Sequence, residues 1–235
     1  MTRVISLGGS ILAPDKVDCV FLQKFVRLIQ DFVMENGAVR FIIVAGGGGP
    51  ARSWQAAYRQ LCGALGAAPN DAQADWIGIM ATRLNAQLVK ALFGPYCKDD
   101  VVVDPGAGTT ESIFTGQVLL AAGWKPGFSS DNDAVLLAKR FGADTVINLS
   151  NIEKVYTADP KTKPEAEPID SISWKDFRAL TGDVWTPGKN VPFDPVASRN
   201  AEDSGISVIC ASGGDLDNLR QILCGGGYIG TLIHA

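Results

Sequence analysis

Two short apolar runs, each followed at once by glycine, limit what this chain can fold into. Residues 39–45 (VRFIIVA) are almost wholly apolar and rich in β-branched side chains, and four glycines follow them at 46–49. A strand of this composition is typical of a parallel sheet covered on both faces, because it has no polar side to turn to water. Residues 3–7 (RVISL) form a similar run that ends in Gly8-Gly9-Ser10. We therefore expect two neighbouring buried strands that both end in glycine turns.

Helical and strand-like segments alternate along the whole sequence. Apolar residues repeat at helical spacing between the first two runs, over 17–36. Further helices are predicted at 51–65, 75–93, 132–141, 173–180, 195–204 and 216–223, and further strands at 101–103, 118–122, 145–149, 206–210 and 231–233. Such alternation predicts a three-layer α/β protein, with an open, mainly parallel sheet and helices on both faces.

We expect one domain, 1–235, made of an N-terminal lobe (about 1–125) and a C-terminal lobe (about 126–235) that join near the glycines at 123–127. The proline-rich stretch 158–168 is predicted to be a surface loop.

Composition excludes several classes of function. The net charge of −4 and the absence of a basic run argue against nucleic acid as a partner. No run of about 18 apolar residues occurs and the apolar stretch at the N-terminus is too short for a signal peptide, so we expect a cytoplasmic protein without membrane contact. The five cysteines are scattered and predict free thiols rather than disulfides or a metal site. The single histidine, His234, is expected in a frayed tail.

The glycine turns are candidate anion sites. In parallel sheets, ligands bind beyond the carboxyl ends of the strands, and backbone N–H groups at helix starts attract phosphate. The alternative is that these glycines only permit tight turns. The lysine-containing string of P-loop proteins is absent, and the match of Gly46-x-Gly48-x-x-Ala51 to a dinucleotide fingerprint is weak, since it follows the second strand and lacks the acidic residue further on.

Six blocks resemble the amino acid kinase superfamily, and most closely its archaeal-type uridylate (UMP) kinases. They are SLGGSIL (6–12), VAGGGGPAR (44–52), DWIGIMATRLNA (75–86), PGFSSDNDAVLLA (126–138), NLSNIEKVYTADP (148–160) and FDPVASRNAEDSGI (193–206). The resemblance implies an amino-acid-kinase-like sheet with the phosphoryl acceptor over its N-terminal part and ATP over its C-terminal part. It also implies transfer of a phosphoryl group from ATP, bound with Mg²⁺, to UMP, and a homo-oligomer, usually a hexamer built from dimers.

The resemblance further implies roles for individual residues. The acceptor phosphate would be held by Gly46, Gly47, Gly48 and Arg52, the ribose hydroxyls by Asp75, and the surroundings of the acceptor would include Ser129 and Ser130. ATP would contact Gly8, Gly9, Ser10, Asn151, Tyr156 and Asp159, with Asp131 close to the reacting phosphates and Asp194 as a structural residue. From the residues alone, Asp75 and Asp131 could instead cap predicted helices, and Tyr156 could be a core aromatic.

The chain departs from the family where lysine is expected. Members carry a lysine on the first strand, two residues before the glycine pair, or in the second turn, whereas this chain has Ser6 and Gly49. Phosphoryl transfer needs positive charge around the moving group. Either another cation serves, with Lys125 the first candidate and Lys154, Lys189 and Arg3 weaker ones, or the protein binds nucleotide or oxyanion with little kinase activity, in regulation or storage. Glu153-Lys154 also replaces the family's Asp-Gly.

Overall fold

The computed structural model describes residues 1–183 and 191–235. The strands of these residues are β1 (Thr2–Leu7), β2 (Arg40–Ala45), β3 (Val118–Ala121), β4 (Thr145–Ser150), β5 (Val155–Tyr156), β6 (Pro168–Ile169), β7 (Ser171–Ser173), β8 (Ser207–Ser212) and β9 (Thr231–His234). The helices are α1 (Gly9–Leu12), α2 (Cys19–Glu35), α3 (Gly48–Ala64), α4 (Asp71–Phe93), α5 (Thr110–Ile113), α6 (Ser130–Arg140), α7 (Trp174–Thr181), α8 (Pro195–Asp203) and α9 (Leu216–Cys224).

Seven of the described strands form one sheet, in the order β3-β2-β1-β4-β8-β9-β7. All neighbours in it run parallel except β8 and β9. Leu7 at the end of β1 lies opposite Ala45 of β2 and Leu149 of β4, so the loops that follow these three strands leave from one edge. β5 and β6 pair antiparallel as a separate ribbon.

Helices cover both faces of the sheet, as the alternating pattern predicted. Ile5 and Leu7 of β1 pack with apolar residues of α2, α4 and α9, whereas Val4 packs on the other face with those of α6, α7 and α8. Successive strand residues point to opposite faces, so a strand that is covered on both sides contributes to two cores. The predicted open, mainly parallel, three-layer architecture is confirmed.

Two helices begin three or more residues earlier than the sequence predicted. α4 begins at Asp71, because the side chain of Asn70 accepts a hydrogen bond of 3.0 Å from Gln73 N and caps the helix. α3 begins at Gly48 rather than at residue 51, so part of the glycine run is helical. In both helices the apolar residues begin to repeat only after the first turn. A prediction based on this periodicity therefore misses the first turn of the helix.

Several short elements differ from prediction. Of residues 101–103, Val102 makes a single parallel bridge to Ala121 rather than a strand. The predicted loop 158–168 ends in β6, and β5 and β7 were also not predicted, since two or three residues show no period. The prediction of a frayed tail was wrong, because His234 belongs to β9, lies opposite Ser173 in the register and has Nε2 3.0 Å from Ser171 Oγ.

The cysteines lie within the described ranges and are free thiols; Cys97 and Cys210 are buried. Among the described helices, none has both the length and the apolar character needed to cross a membrane.

Candidate functional site

The two glycine turns pack directly against each other. A Cβ atom on Gly9 would lie 2.0 Å from the nitrogen of Gly48, and one on Gly46 would lie 2.3 Å from the nitrogen of Gly9. Gly48 also has a φ of +65°, which disfavours any other residue. The glycines are therefore required by the contact between the turns, whatever else they do.

The contact between the turns gathers unused backbone donors. The N–H groups of Gly9, Ser10, Gly47 and Gly48 have no hydrogen-bond acceptor among the described residues. Gly9 and Ser10 are the first residues of α1, Gly48 is the first residue of α3 and Gly47 precedes it, and neither helix start has a side-chain cap. Free amides at a helix start bind anions well. The turns can thus hold phosphate groups as well as each other.

Asn85 binds the backbone of the second glycine turn. Its Nδ2 donates hydrogen bonds to the carbonyl oxygens of Gly46, at 2.8 Å, and Gly47, at 3.2 Å, and the residue is buried on α4. Asn85 thus binds the carbonyl groups of the turn, and the N–H groups of Gly47 and Gly48 stay without a partner among the described residues. Sequence reasoning did not single out Asn85; an asparagine at a buried position of an apolar helix was the available sign.

Arg52 lies in α3 next to the same turn. Its Nη2 donates a hydrogen bond of 2.8 Å to the carbonyl oxygen of Pro14, and the residue is exposed. One nitrogen of the guanidinium group is thus used within the protein, and the rest can contact an anion.

Asp131 is the second residue of α6 and contacts the first strand. Ser6 Oγ donates a hydrogen bond of 2.9 Å to Asp131 Oδ1. Removal of the carboxyl group from water raises the pKa of Asp131 to about 6, against the opposing effect of the Ser6 hydrogen bond. Asp131 does not cap the helix, because the cap is Ser129, whose side chain accepts from Asn132 N. The capping interpretation of Asp131 was therefore wrong.

A row of polar side chains continues from Ser6 across the sheet. Ser6 of β1 is in register with Asn148 of β4, which is in register with Cys210 of β8, and all three are buried. Asn148 Nδ2 donates to the carbonyl oxygen of Pro192 at 3.1 Å. Burial raises the pKa of the Cys210 thiol to about 12, so this thiol stays protonated and unreactive at neutral pH.

Asp194 caps α8, since its side chain accepts a hydrogen bond of 2.8 Å from Ala197 N. Burial raises the pKa of Asp194, and its charge in turn contributes to the raised pKa of Asp131. Asp194 and Asp131 are therefore near neighbours in space, brought together by α6 and α8.

Asp75 binds the segment that precedes α6. Because α4 begins at Asp71, Asp75 lies inside the helix and the interpretation of it as an N-cap was wrong. Its Oδ2 instead accepts a hydrogen bond of 3.0 Å from Gly127 N. Asp75 therefore contacts the loop two residues before Ser129, the N-cap of α6, and Ser130 is the first residue of that helix.

The candidate cations lie in different places. Lys125 is exposed, and its Nζ lies 3.8 Å from the centroid of the Trp124 ring and 4.9 Å from that of Phe128. Lys154 forms a salt bridge with Asp170. Arg3 lies near the start of β1, away from the glycine edge, and faces the opposite side of the sheet from Ser6. Lys189 lies outside the described residues.

The predicted ATP residues of the C-terminal part lie around the β5–β6 ribbon. Tyr156 is half-buried in β5, opposite Pro168, and is therefore not a fully buried core aromatic. Asn151 is exposed just after β4, and Asp159 Oδ1 accepts a hydrogen bond of 2.9 Å from Lys161 N in an exposed turn. Gly8, by contrast, contacts the end of β4, where its N–H donates to Leu149 O at 2.8 Å.

Comparison with known proteins gives a consistent result. The sequence profile of the amino acid kinase family matches residues 1–212. The chain is 33% identical to a uridylate kinase of Methanospirillum hungatei over 99% of its own length and 94% of that protein, and 34% identical to one of Thermoplasma volcanium over 98% and 96%. The crystal structure of uridylate kinase from Archaeoglobus fulgidus superposes with a TM-score of 0.82 at 31% identity, covering 99% of this chain and 100% of that one.

Proposed function

Because the chain belongs to the amino acid kinase family, we propose that it is a uridylate kinase that converts UMP and ATP to UDP and ADP. An oxygen of the UMP phosphate attacks the γ-phosphorus of ATP, and the bond from that phosphorus to the β,γ-bridging oxygen breaks. The observation that carries the proposal is the contact between the two glycine turns, which brings four unpaired N–H groups to one edge of the sheet. Transfer between two phosphorylated ligands needs such paired phosphate sites.

In this proposal the two glycine turns bind phosphates of different ligands. Gly46, Gly47 and Gly48, with Arg52, bind the phosphate of UMP, and Gly8, Gly9 and Ser10 bind phosphates of ATP. Asp75 contacts the ribose of UMP, while Ser129 and Ser130 contact its phosphate. Asn151, Tyr156 and Asp159 contact the nucleoside of ATP.

Mg²⁺ fits this site as an ion carried by ATP. Within residues 1–183 and 191–235 no three His, Cys, Asp or Glu side chains are grouped so as to hold a metal. Asp131 offers a carboxylate, the ligand that Mg²⁺ takes together with nucleotide phosphates. When bound, the ion neutralises charge on the phosphates, and Asp131, oriented by Ser6, holds its carboxylate towards them.

We assign to Lys125 the positive charge that is needed near the phosphoryl group during transfer. Lys154 is engaged with Asp170, and Arg3 lies at the far end of its strand. Lys125 is exposed on the loop that leads to Ser129 and Asp131, and its contacts described above are with aromatic rings rather than a carboxylate. The alternative, a nucleotide- or oxyanion-binding protein with little kinase activity, gains no support from the relatives, which are uridylate kinases by name.

The test is ADP formation by the purified protein with MgATP and each of UMP, CMP, AMP and GMP. We expect turnover that depends on UMP and falls at least about 100-fold in Asp131→Asn, since a group at the reacting phosphates is altered. Asp176→Asn, at an exposed position in the first turn of α7, is the matched control and should keep the parent rate. Folded protein that binds nucleotide in calorimetry but forms no ADP with any acceptor would favour binding or storage instead.

A further inference from the structure

The segment 123–127 between β3 and α6 is bound largely by side chains. Gly123 N–H donates to Thr82 Oγ1 at 2.8 Å, and Gly123 O accepts from Arg83 Nε and Nη2, both at 3.3 Å. Trp124 O accepts from Arg83 Nη2 at 3.0 Å, and Trp124 N–H donates to Asp133 Oδ2 at 3.1 Å. Every backbone polar group of Gly123 and Trp124 is thus satisfied by a side chain of α4 or α6. Such a segment takes its position from those side chains rather than from the sheet.

Asp133 is an unusual partner for a backbone N–H group. It is completely buried, and its second oxygen, Oδ1, has no hydrogen-bond partner among the described residues. Burying a carboxyl group with an unsatisfied oxygen is unfavourable, and an apolar residue would suit the helix better. The contact that Asp133 does make is the one to Trp124.

Asp133 of α6 and Arg83 of α4 both bind the backbone of Trp124. Asp133 accepts from its N–H, and Arg83 donates to its carbonyl group while its guanidinium lies 5.7 Å from the Trp76 ring. Beyond Trp124 the segment is compact, because the Trp124 and Phe128 rings pack edge to face at 4.8 Å. A fixed Trp124 therefore also fixes the direction of Lys125.

We propose that Asp133 is a positioning residue for the phosphoryl acceptor, which acts by holding Trp124 and with it the loop 123–129 over the bound nucleoside monophosphate. The proposal rests on the proposed function, because it takes this loop to border the acceptor. Asp133 lies two residues after Asp131 on α6, so one helix sets the position of both the loop and the carboxylate at the reacting phosphates. Without the hydrogen bond, part of the binding free energy of UMP is spent on ordering the loop.

The test compares two substitutions of the same residue. Asp133→Asn keeps an oxygen that accepts from Trp124 N–H, whereas Asp133→Leu has nearly the same shape and no acceptor. We expect the KM for UMP to rise about tenfold in Asp133→Leu, as the loss of a hydrogen bond to a carboxylate implies, and about twofold or less in Asp133→Asn. The KM for ATP should stay near the parent value in both.

A second readout separates positioning from general damage. Hydrogen exchange at Trp124 should accelerate about tenfold in Asp133→Leu and little in Asp133→Asn, at equal or higher thermal stability of the leucine variant. The control is Trp174→Phe in α7, which removes the buried hydrogen bond of 3.0 Å from Trp174 Nε1 to Ile206 O and should leave the KM for UMP unchanged.

The outcomes distinguish this proposal from the proposed function. An active parent enzyme whose KM for UMP is the same in Asp133→Leu overturns the role of Asp133, as does equal loss in the leucine and asparagine variants. A parent enzyme without UMP-dependent turnover overturns the proposed function, and the exchange measurement at Trp124 still decides whether Asp133 holds the loop.

Discussion

The hydroxyl group of Ser6 donates a hydrogen bond of 2.9 Å to the carboxylate of Asp131, which joins the central strand β1 to the first turn of α6. Ser6 is the position at which the resemblance to amino acid kinases led us to expect a lysine. A neutral donor therefore occupies that place, and burial holds the pKa of Asp131 at about 6, above its ordinary value.

Removing this donor should shift the pH dependence of the reaction. The hydrogen bond favours the charged form of Asp131, so Ser6→Ala raises its pKa further. If the ionised carboxylate is the active form, kcat/KM rises with pH through that pKa, and its acidic limb moves about one unit higher in the variant. Ser6→Thr keeps the hydroxyl and should keep the parent profile. An unshifted limb in Ser6→Ala would show that this bond does not control Asp131.

Lys125 should matter for turnover more than for folding. Lys125→Ala removes the proposed cation and is expected to lower kcat by about 100-fold, as the loss of a transition-state donor does. Lys139→Ala, at an exposed site in the last turn of α6, is the control and should change kcat less than twofold. Steady-state kinetics at saturating UMP and ATP measure both. Equal rates in the parent and Lys125→Ala would assign the positive charge elsewhere.

Asp133 should make stability fall as pH rises. Burial raises the pKa of Asp133 to about 7, whereas an unfolded aspartate titrates near 3.9. Between about pH 4 and about pH 7 the folded state therefore keeps a proton on Asp133 that the unfolded state has lost. The stabilisation present below about pH 4 is lost by about pH 7, at up to about 1.4 kcal/mol per pH unit. Asp133→Asn removes this dependence.

Urea denaturation between pH 4.5 and 7.5 measures the difference in unfolding free energy between Asp133→Asn and the parent, which should grow in favour of the variant as pH rises. Asp176→Asn serves as the exposed control. A difference that stays constant with pH would mean that Asp133 titrates normally in the folded protein.

The contact between the glycine turns predicts a large difference between two glycine substitutions. A Cβ on Gly9 would lie 2.0 Å from a backbone nitrogen, whereas Gly37 has no heavy atom within 4 Å of its Cβ position. Gly9→Ala should destabilise the protein by on the order of 3 kcal/mol or more, and Gly37→Ala by less than about 1 kcal/mol. Thermal unfolding followed by circular dichroism compares them. Similar melting temperatures would mean that the turns can separate at little cost.

An exposed apolar row on α4 predicts self-association. It consists of residues four apart that are all exposed or nearly so: Trp76, Met80, Leu84, Leu88 and Leu92. Contiguous apolar surface of this kind is usually covered by another protein, and we expect a second copy of this chain to cover it. Leu84→Glu should lower the molar mass in light scattering by half or more, whereas Leu180→Glu on α7 should not. A monomeric parent protein would contradict this prediction of self-association.

The sheet could be predicted because its strands are apolar runs separated by helical periods. β1, β2, β4 and β8 all bury residues on both sides, and such runs are hard to mistake. β5, β6 and β7 could not be found, since their pairing depends on partners distant in sequence. The early start of α4 depends on a single hydrogen bond of Asn70.

The site was predicted in pieces rather than as an arrangement. The sequence singled out Ser6 and Asp131 separately. Their contact across 125 positions follows from the packing of α6 against β1 and could not be predicted from either residue. Asp133 was missed because a charged residue near a helix start is usually exposed. The sign was the apolar residue four positions later, Leu137, which lies on the same face of α6 and is buried.

The place of β1 in the sheet also has a consequence for how the chain folds. β1 precedes β4 by more than a hundred positions in the chain, yet one of its edges pairs with β4, where Val4 lies opposite Val146. During synthesis that edge stays open until most of the chain has left the ribosome, because long-range pairing has to wait for its partner. A nascent or truncated chain that ends near residue 125 would expose an apolar strand edge, which favours aggregation.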